Sequence, residues 1–287
     1  MGGVAVVTDS TSCLLSELAQ QHGIHMVPLN IHFGDTVYRD GVDLQPPQFY
    51  ELLKKGKQLP TTSTPSAGDF LTVYQELAPR AGGIVVVLIS AVYSTAVDAA
   101  KVAQDMLRES LPETDIEVID SRTTGGALGL VALEAARTAA GGAGVSEVAA
   151  RATELIPRVN FIAALDTLFY LARGGRIGTA AAWAGSVLRI KPIIEVSTGS
   201  GNTEAVEQAR TKRRAVQRLL EITEERVGQA PIHVMVHHAG APRAGEALRA
   251  AVAARFNCVE LYLTPFTPVM GAHTGPGTLG ISFFQDG

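Results

Sequence analysis

Three short segments of this 287-residue chain gather hydroxyls, an imidazole and free backbone donors, a combination suited to holding an anion. The first is Thr61-Thr62-Ser63-Thr64-Pro65-Ser66. Thr64 before Pro65 makes an N-cap and N1 pair, so the segment reads as a loop running directly into a helix. Free N–H groups at a helix N-terminus beside several hydroxyls form an anion site. A capped helix whose spare hydroxyls face solvent is the plain alternative. The second is Ser90-Ala91-Val92-Tyr93-Ser94-Thr95, which ends an apolar run and opens a helix, the place where open α/β sheets bind ligands. Capping alone would also account for Ser94. The third runs from Gly271 through Ala272, His273 and Thr274 to Gly280. Its four glycines in ten residues permit tight turns and close approach, and His273 among them can donate to an anion. Thr61, Thr274 and Gly271 are secondary members of the same candidate site.

Other chemistries fit less well. Gly275–Gly280 spells G-x-G-x-x-G, but no helix and no acidic residue about 20 positions on can follow to complete a dinucleotide site. Ser94 and His273 offer a nucleophile and a base, so a serine hydrolase or esterase is the competing reading. No G-x-S-x-G elbow accompanies them, and no orienting acid can be named. His233, His237 and His238 lack a Cys, Asp or Glu at ligand spacing, so no metal site is expected. A phosphate loop with lysine and a metal-binding carboxylate pair are also missing, which counts against a sugar- or nucleotide-phosphate enzyme.

Composition narrows the setting. Apolar residues make up 46% and charged residues 18%, the profile of a globular chain with a large core. A net charge of −4 gives no reason to expect nucleic-acid binding, and Lys212-Arg213-Arg214 reads as a solvated helix start. Two cysteines, Cys13 and Cys258, are too few for a disulfide framework, so a reduced, cytoplasmic location is expected. The chain enters Val4-Ala5-Val6-Val7 without a basic region or cleavage site, and Val6 stands where a myristoylation motif wants Ser or Thr. No apolar run is long enough for a membrane span, so stable membrane insertion is not expected.

The elements that must position these residues alternate through the first half. Strands are expected over 4–7, 25–33, 84–89 and 116–119. Helices are expected over 14–21, 47–55, 66–77, 94–108 and 124–139. That order argues for a parallel sheet covered on both faces. After a Gly-rich break at 140–144 the pattern changes, with two strands over 191–196 and 203–209 joined by a turn holding Gly199 and Gly201. A helix over 211–227, a strand over 232–237, a helix over 242–255 and a strand over 258–263 follow. The expected fold is α/β in two domains: a parallel-sheet domain over 1–157 and an α+β domain over 158–287. Phe161, Ile162, Leu165, Trp183, Leu188, Ile190 and Ile194 are apolar residues of the second half, and core packing accounts for most of them.

Further motifs join these segments in one order along the chain. They are Val7-Thr8-Asp9-Ser10-Thr11, Val27-Pro28-Leu29 to Phe33-Gly34-Asp35, Tyr38-Arg39-Asp40-Gly41-Val42-Asp43, Ile119-Asp120-Ser121 and Leu171-Ala172-Arg173-Gly174-Gly175-Arg176-Ile177. With Thr62–Ser66, Ser90–Ser94 and Gly271–Gly277 they resemble the DegV family of bacterial fatty acid-binding proteins. The resemblance implies a non-catalytic two-domain protein that encloses an acyl chain such as palmitate, stearate or oleate near the domain interface, with no other cofactor. It implies that Thr62, Ser63, Ser94 and His273 hold the carboxylate. It also implies, for some members, a separate fatty acid kinase as partner, for which Arg173 and Arg210 are the candidate docking residues. Thr64 stands where the family has Gln, and Tyr93, Thr95 and Ala96 where it has Leu, Gly and Thr. The Ser94 hydroxyl survives these departures, whereas the bulk of Tyr93 bears on cavity shape.

Overall fold

The computed structural model describes residues 2–56, 59–186 and 190–286. Its first half runs β1 (Val4–Asp9), α1 (Ser16–Gln21), β2 (Ile24–Val27), β3 (Asn30–Phe33), β4 (Thr36–Arg39), α2 (Pro46–Lys55), β5 (Thr61–Ser63), α3 (Ala67–Leu77), β6 (Gly83–Leu88), α4 (Ala96–Arg108), β7 (Ile116–Asp120), α5 (Gly125–Ala140) and α6 (Val145–Leu155). Strands β2, β1, β6 and β7 pair in that order, all parallel. Strand β6 shows why the sheet is covered on both faces: Ile84-Val85-Val86-Val87-Leu88 is apolar without a break and wholly buried. The carboxyl ends of these strands carry the polar residues. There the buried Asp9 accepts from the Ile89 backbone at 2.7 Å and from the Thr11 backbone at 2.9 Å, pinning two strand ends together.

The expected strand over 25–33 is two strands in different sheets. Pro28 cannot donate to a ladder, so β2 stops at Val27 in the parallel sheet. Leu29 donates instead to Ser10 Oγ at 3.1 Å. The chain then enters β3, which pairs antiparallel with β4 and with β5. A second correction concerns Thr61–Ser63, which is strand β5 rather than loop. The cap is displaced too. Ser66, not Thr64, starts α3, because Ser66 Oγ accepts from the Asp69 backbone at 3.2 Å while Asp69 accepts from the Ser66 backbone at 2.7 Å. Thr64 is thereby freed for other partners.

The second half runs β8 (Asn160–Ala164), α7 (Phe169–Arg173), β9 (Lys191–Ser197), β10 (Asn202–Ala209), α8 (Lys212–Val227), β11 (Ile232–His238), α9 (Pro242–Arg255), β12 (Cys258–Pro265), α10 (Pro268–Thr274) and β13 (Leu279–Gln285). Its sheet has the order β10-β9-β8-β13-β11-β12, with β11–β12 the parallel pair. Residues alternate across it. Ile162 and Ile193 pack in the cluster with α8 and α9, whereas Phe161, Ala163 and Ile194 join the core shared with the first half. Helix α5 lies between the two sheets, touching β1 and β6 on one side and β8, β11 and β13 on the other. Its Gly, Ala, Leu and Val residues are buried almost all round, as a helix sandwiched by two sheets requires. Among the described residues no helix is long and apolar enough to cross a membrane.

Candidate functional site

A cavity lies between the strand ends of the parallel sheet, β5, α10 and the inner face of the second sheet, with about 730 Å³ free of protein atoms, its mouth included. Leu29, Ile89, Phe161, Ile194, Val269 and Met270 give it apolar walls. The polar groups converge. Thr62 Oγ1 is 2.9 Å from His273 Nε2, and Thr64 Oγ1 is 3.0 Å from Ser94 Oγ. Arg176, half-buried on the same wall, donates to the Tyr93 carbonyl from Nη2 at 2.8 Å and from Nε at 3.2 Å, and to the Gly174 carbonyl from Nη1. One N–H remains on each terminal nitrogen after those bonds.

His273 is hydrogen-bonded through Nε2 to Thr62 and packs its other side against Gly174. Burial first, then the Arg176 charge, push its pKa down to about 4, so the imidazole is neutral at pH 7. Its Nδ1 is buried and has no partner among the described residues. A proton there would be an unsatisfied buried donor, so the Nε2–H tautomer is favoured, with the hydrogen toward Thr62 and the cavity. Gly174 makes room for this arrangement: a Cβ at that position would stand 2.3 Å from Nδ1. Gly174→Ala is therefore expected to displace the imidazole and weaken ligand binding about tenfold, the worth of one charge-assisted hydrogen bond. Titration of the variant with palmitate checks this. Unaltered affinity would show that the ring position is immaterial.

The sequence-derived candidates divide by place. Thr62, Ser94 and His273 converge on the cavity. Ser63 reaches the mouth, but its hydroxyl is bonded to His32 Nε2 at 2.8 Å. Adjacent strand residues alternate, so Thr61 and Ser63 share the outer face of β5 while Thr62 faces inward. Thr274 lines the cavity with its hydroxyl given to the Met270 carbonyl at 2.9 Å. Gly271 is not on the cavity wall: it packs on Tyr50 and Phe49, where a Cβ would come within 2.6 Å of Tyr50 Oη. Arg173 and Arg210 are exposed, away from the cavity. Of the apolar candidates, Phe161 and Ile194 line the cavity, whereas Ile162, Leu165, Trp183 and Ile190 do not, and Leu188 lies outside the described residues.

Arg176, Tyr93 and Thr203 also line the cavity and were not singled out by residue type and spacing as binding groups. The signal for Arg176 was its place in Arg173-Gly174-Gly175-Arg176, three residues after an arginine that the helix α7 turns outward. The hydrolase pairing is not formed. Ser94 bonds Thr64 and accepts from the Ala96 backbone at 3.3 Å, while His273 bonds Thr62. Among the described residues no carboxylate bonds the His273 ring.

Comparison with known proteins places this arrangement. The model of DegV, described as an uncharacterised protein family, matches residues 3–286. A DegV domain-containing protein of Streptomyces coelicolor is 38% identical over 280 residues, covering 97% of each chain. Among solved structures, DegV of Bacillus subtilis, described as a fatty acid binding protein, superposes with a TM-score of 0.90 at 31% identity, over 100% of both chains. A DegV family protein from Thermus thermophilus, solved for its fatty acid binding, gives 0.91 at 29% identity over 99% of this chain and 100% of the other.

Proposed function

The chain belongs to the DegV family, and from that premise we propose that it binds a long-chain fatty acid without transforming it. The observation that carries this reading is the make-up of the cavity: apolar walls with one converging set of donors formed by Thr62, Ser94, Arg176 and His273. Burying a methylene is worth about 0.8 kcal/mol, so a sixteen-carbon tail offers on the order of 10 kcal/mol gross, part of which association entropy removes. Affinity therefore resides mainly in the tail. A desolvated carboxylate costs several kcal/mol unless hydrogen-bonded, and the donor set meets that cost. Neutral hydroxyls and an imidazole supply most of the donors, and Arg176 adds a cation whose remaining N–H groups suit a carboxylate. The relatives described as fatty acid binding support the reading. The same proposal includes presentation of the bound acid to a separate fatty acid kinase, with the exposed Arg173 and Arg210 as docking residues.

Native mass spectrometry of the purified protein, followed by denaturing extraction, tests the proposal. A stoichiometric fatty acid is expected, and its identity gives the chain length. A protein that is empty and also refuses added palmitate and oleate would overturn it and bring the Ser94 enzyme forward.

A further inference from the structure

We propose that Tyr93 sets which acyl tails this cavity accepts, as a wall residue braced at both its ends; the inference rests on the fatty acid reading above. Tyr93 lines the cavity and is 8% exposed, so its ring is part of the surface a tail would meet. Its hydroxyl is 2.7 Å from Thr203 Oγ1. The direction of that bond is determined by the next one. Thr203 Oγ1 lies 2.7 Å from the Arg176 carbonyl, which can only accept, so the threonine spends its one hydrogen there. Tyr93 must then donate to Thr203. At its other end the Tyr93 carbonyl accepts from Arg176 Nη2 at 2.8 Å and Nε at 3.2 Å. The four bonds close a ring through Tyr93, Thr203 and Arg176, and Thr203 is itself buried at 2% exposure.

A buried tyrosine tied in this way cannot swing aside to admit a bulkier chain without leaving a buried hydroxyl unpaired. The hydroxyl also offers the cavity no hydrogen, so it does not compete with Ser94, Thr62 and His273 for the carboxylate. Its contribution to recognition is shape. Arg176 takes part in both the brace and the donor set, so the wall is held in register with the head group, and a fixed distance from the carboxylate is where a tail meets the ring.

The experiment uses full-length protein stripped of lipid, with palmitate and a series of sixteen-carbon acids whose methyl branch is walked along the chain. Affinity for each branched acid is expressed relative to palmitate. In Tyr93→Leu the ratio is expected to rise about fourfold at one branch position, the value of admitting one extra methyl group. In Tyr93→Phe, which keeps the ring and the Arg176 bonds to the Tyr93 carbonyl and removes only the hydroxyl's bond to Thr203, a smaller rise is expected at the same position. Tyr93→Phe also preserves the test if the leucine variant folds poorly. Ratios that stay flat at every position in both variants overturn the inference. A parent protein that binds no acid at all overturns the fatty acid reading instead.

Discussion

Replacing His273 by alanine is expected to weaken palmitate binding about ten- to a hundredfold, with the tail contribution surviving. A hydrogen bond to a charged group is worth about 1.5–3 kcal/mol, and the alanine variant loses the Nε2 donor while leaving Thr62 without its partner at 2.9 Å. The effect also has a pH signature. In the unloaded protein burial, followed by Arg176, holds the His273 pKa at about 4, against 6.5 for the free side chain. The folded state thus binds fewer protons than the unfolded one. Stability from a neutral His273 is complete above pH 6.5 and is lost as pH falls toward 4. A carboxylate in the cavity favours the imidazolium, so loading raises this pKa and takes up a proton. The parent's advantage over the alanine variant should therefore grow between pH 7.5 and 5.5. Calorimetric titration at both values measures it. Equal affinities for parent and variant would remove His273 from the head-group site.

The parts of this site that were legible in the sequence are those that a single local rule decides. The unbroken apolar run 84–88 demanded a strand buried on both faces, and β6 is one. The Gly199–Gly201 turn demanded a hairpin, and β9–β10 form it. Competition between local rules was harder to read. Thr64-Pro65 and Ser66 are both good caps, and the Asp69 partner that decides for Ser66 acts three residues downstream. The break of the 25–33 run at Pro28 required knowing that Ser10, 19 positions away in sequence, would take the Leu29 N–H. Arg176 was hidden for a different reason. Residue type and spacing marked both arginines of the Arg-Gly-Gly-Arg turn as charged. Only the tertiary path shows that one points to solvent and the other into a wall beside His273. The same holds for Thr203, whose value lies in the Tyr93 hydroxyl from 110 residues earlier.

The largest expected loss of stability comes from a contact outside the cavity that ties α5 to the edge of the second sheet. Glu260 on β12 accepts from Arg137 of α5 at 2.9 Å and 2.5 Å, from Tyr262 at 2.7 Å, and bonds His233 Nδ1 at 2.8 Å. Its side chain is 13% exposed and that of Arg137 31%, so the pair is partly shielded from solvent. Burial alone would raise its pKa; the bonds from Arg137, His233 and Tyr262 and the Arg137 charge outweigh burial and hold it at about 2, against 4.5 when free. A depressed carboxylate pKa stabilises fully above pH 4.5, and that stability is lost as pH falls through 2. Glu260→Ala leaves Arg137 with Glu134 at 2.7 Å as its carboxylate and takes away the partner of His233 Nδ1 and Tyr262, a loss of about 1–3 kcal/mol. For a chain of this length the melting temperature should fall by roughly 2–5 °C. The variant should also lose the share of the parent's dependence of Tm on pH between 4.5 and 2 that Glu260 supplies, while Asp43, also held at about 2, keeps its own. Thermal unfolding followed by circular dichroism across that range provides the measurement, and an unchanged Tm would show that the network contributes no more than exposed pairs do. Thr124, the N-cap of α5, lines the cavity at the other end of the helix that Arg137 anchors. Helix α5 also packs on β8, β11 and β13, so the loss of Glu260 is expected to show in stability rather than in the cavity lining.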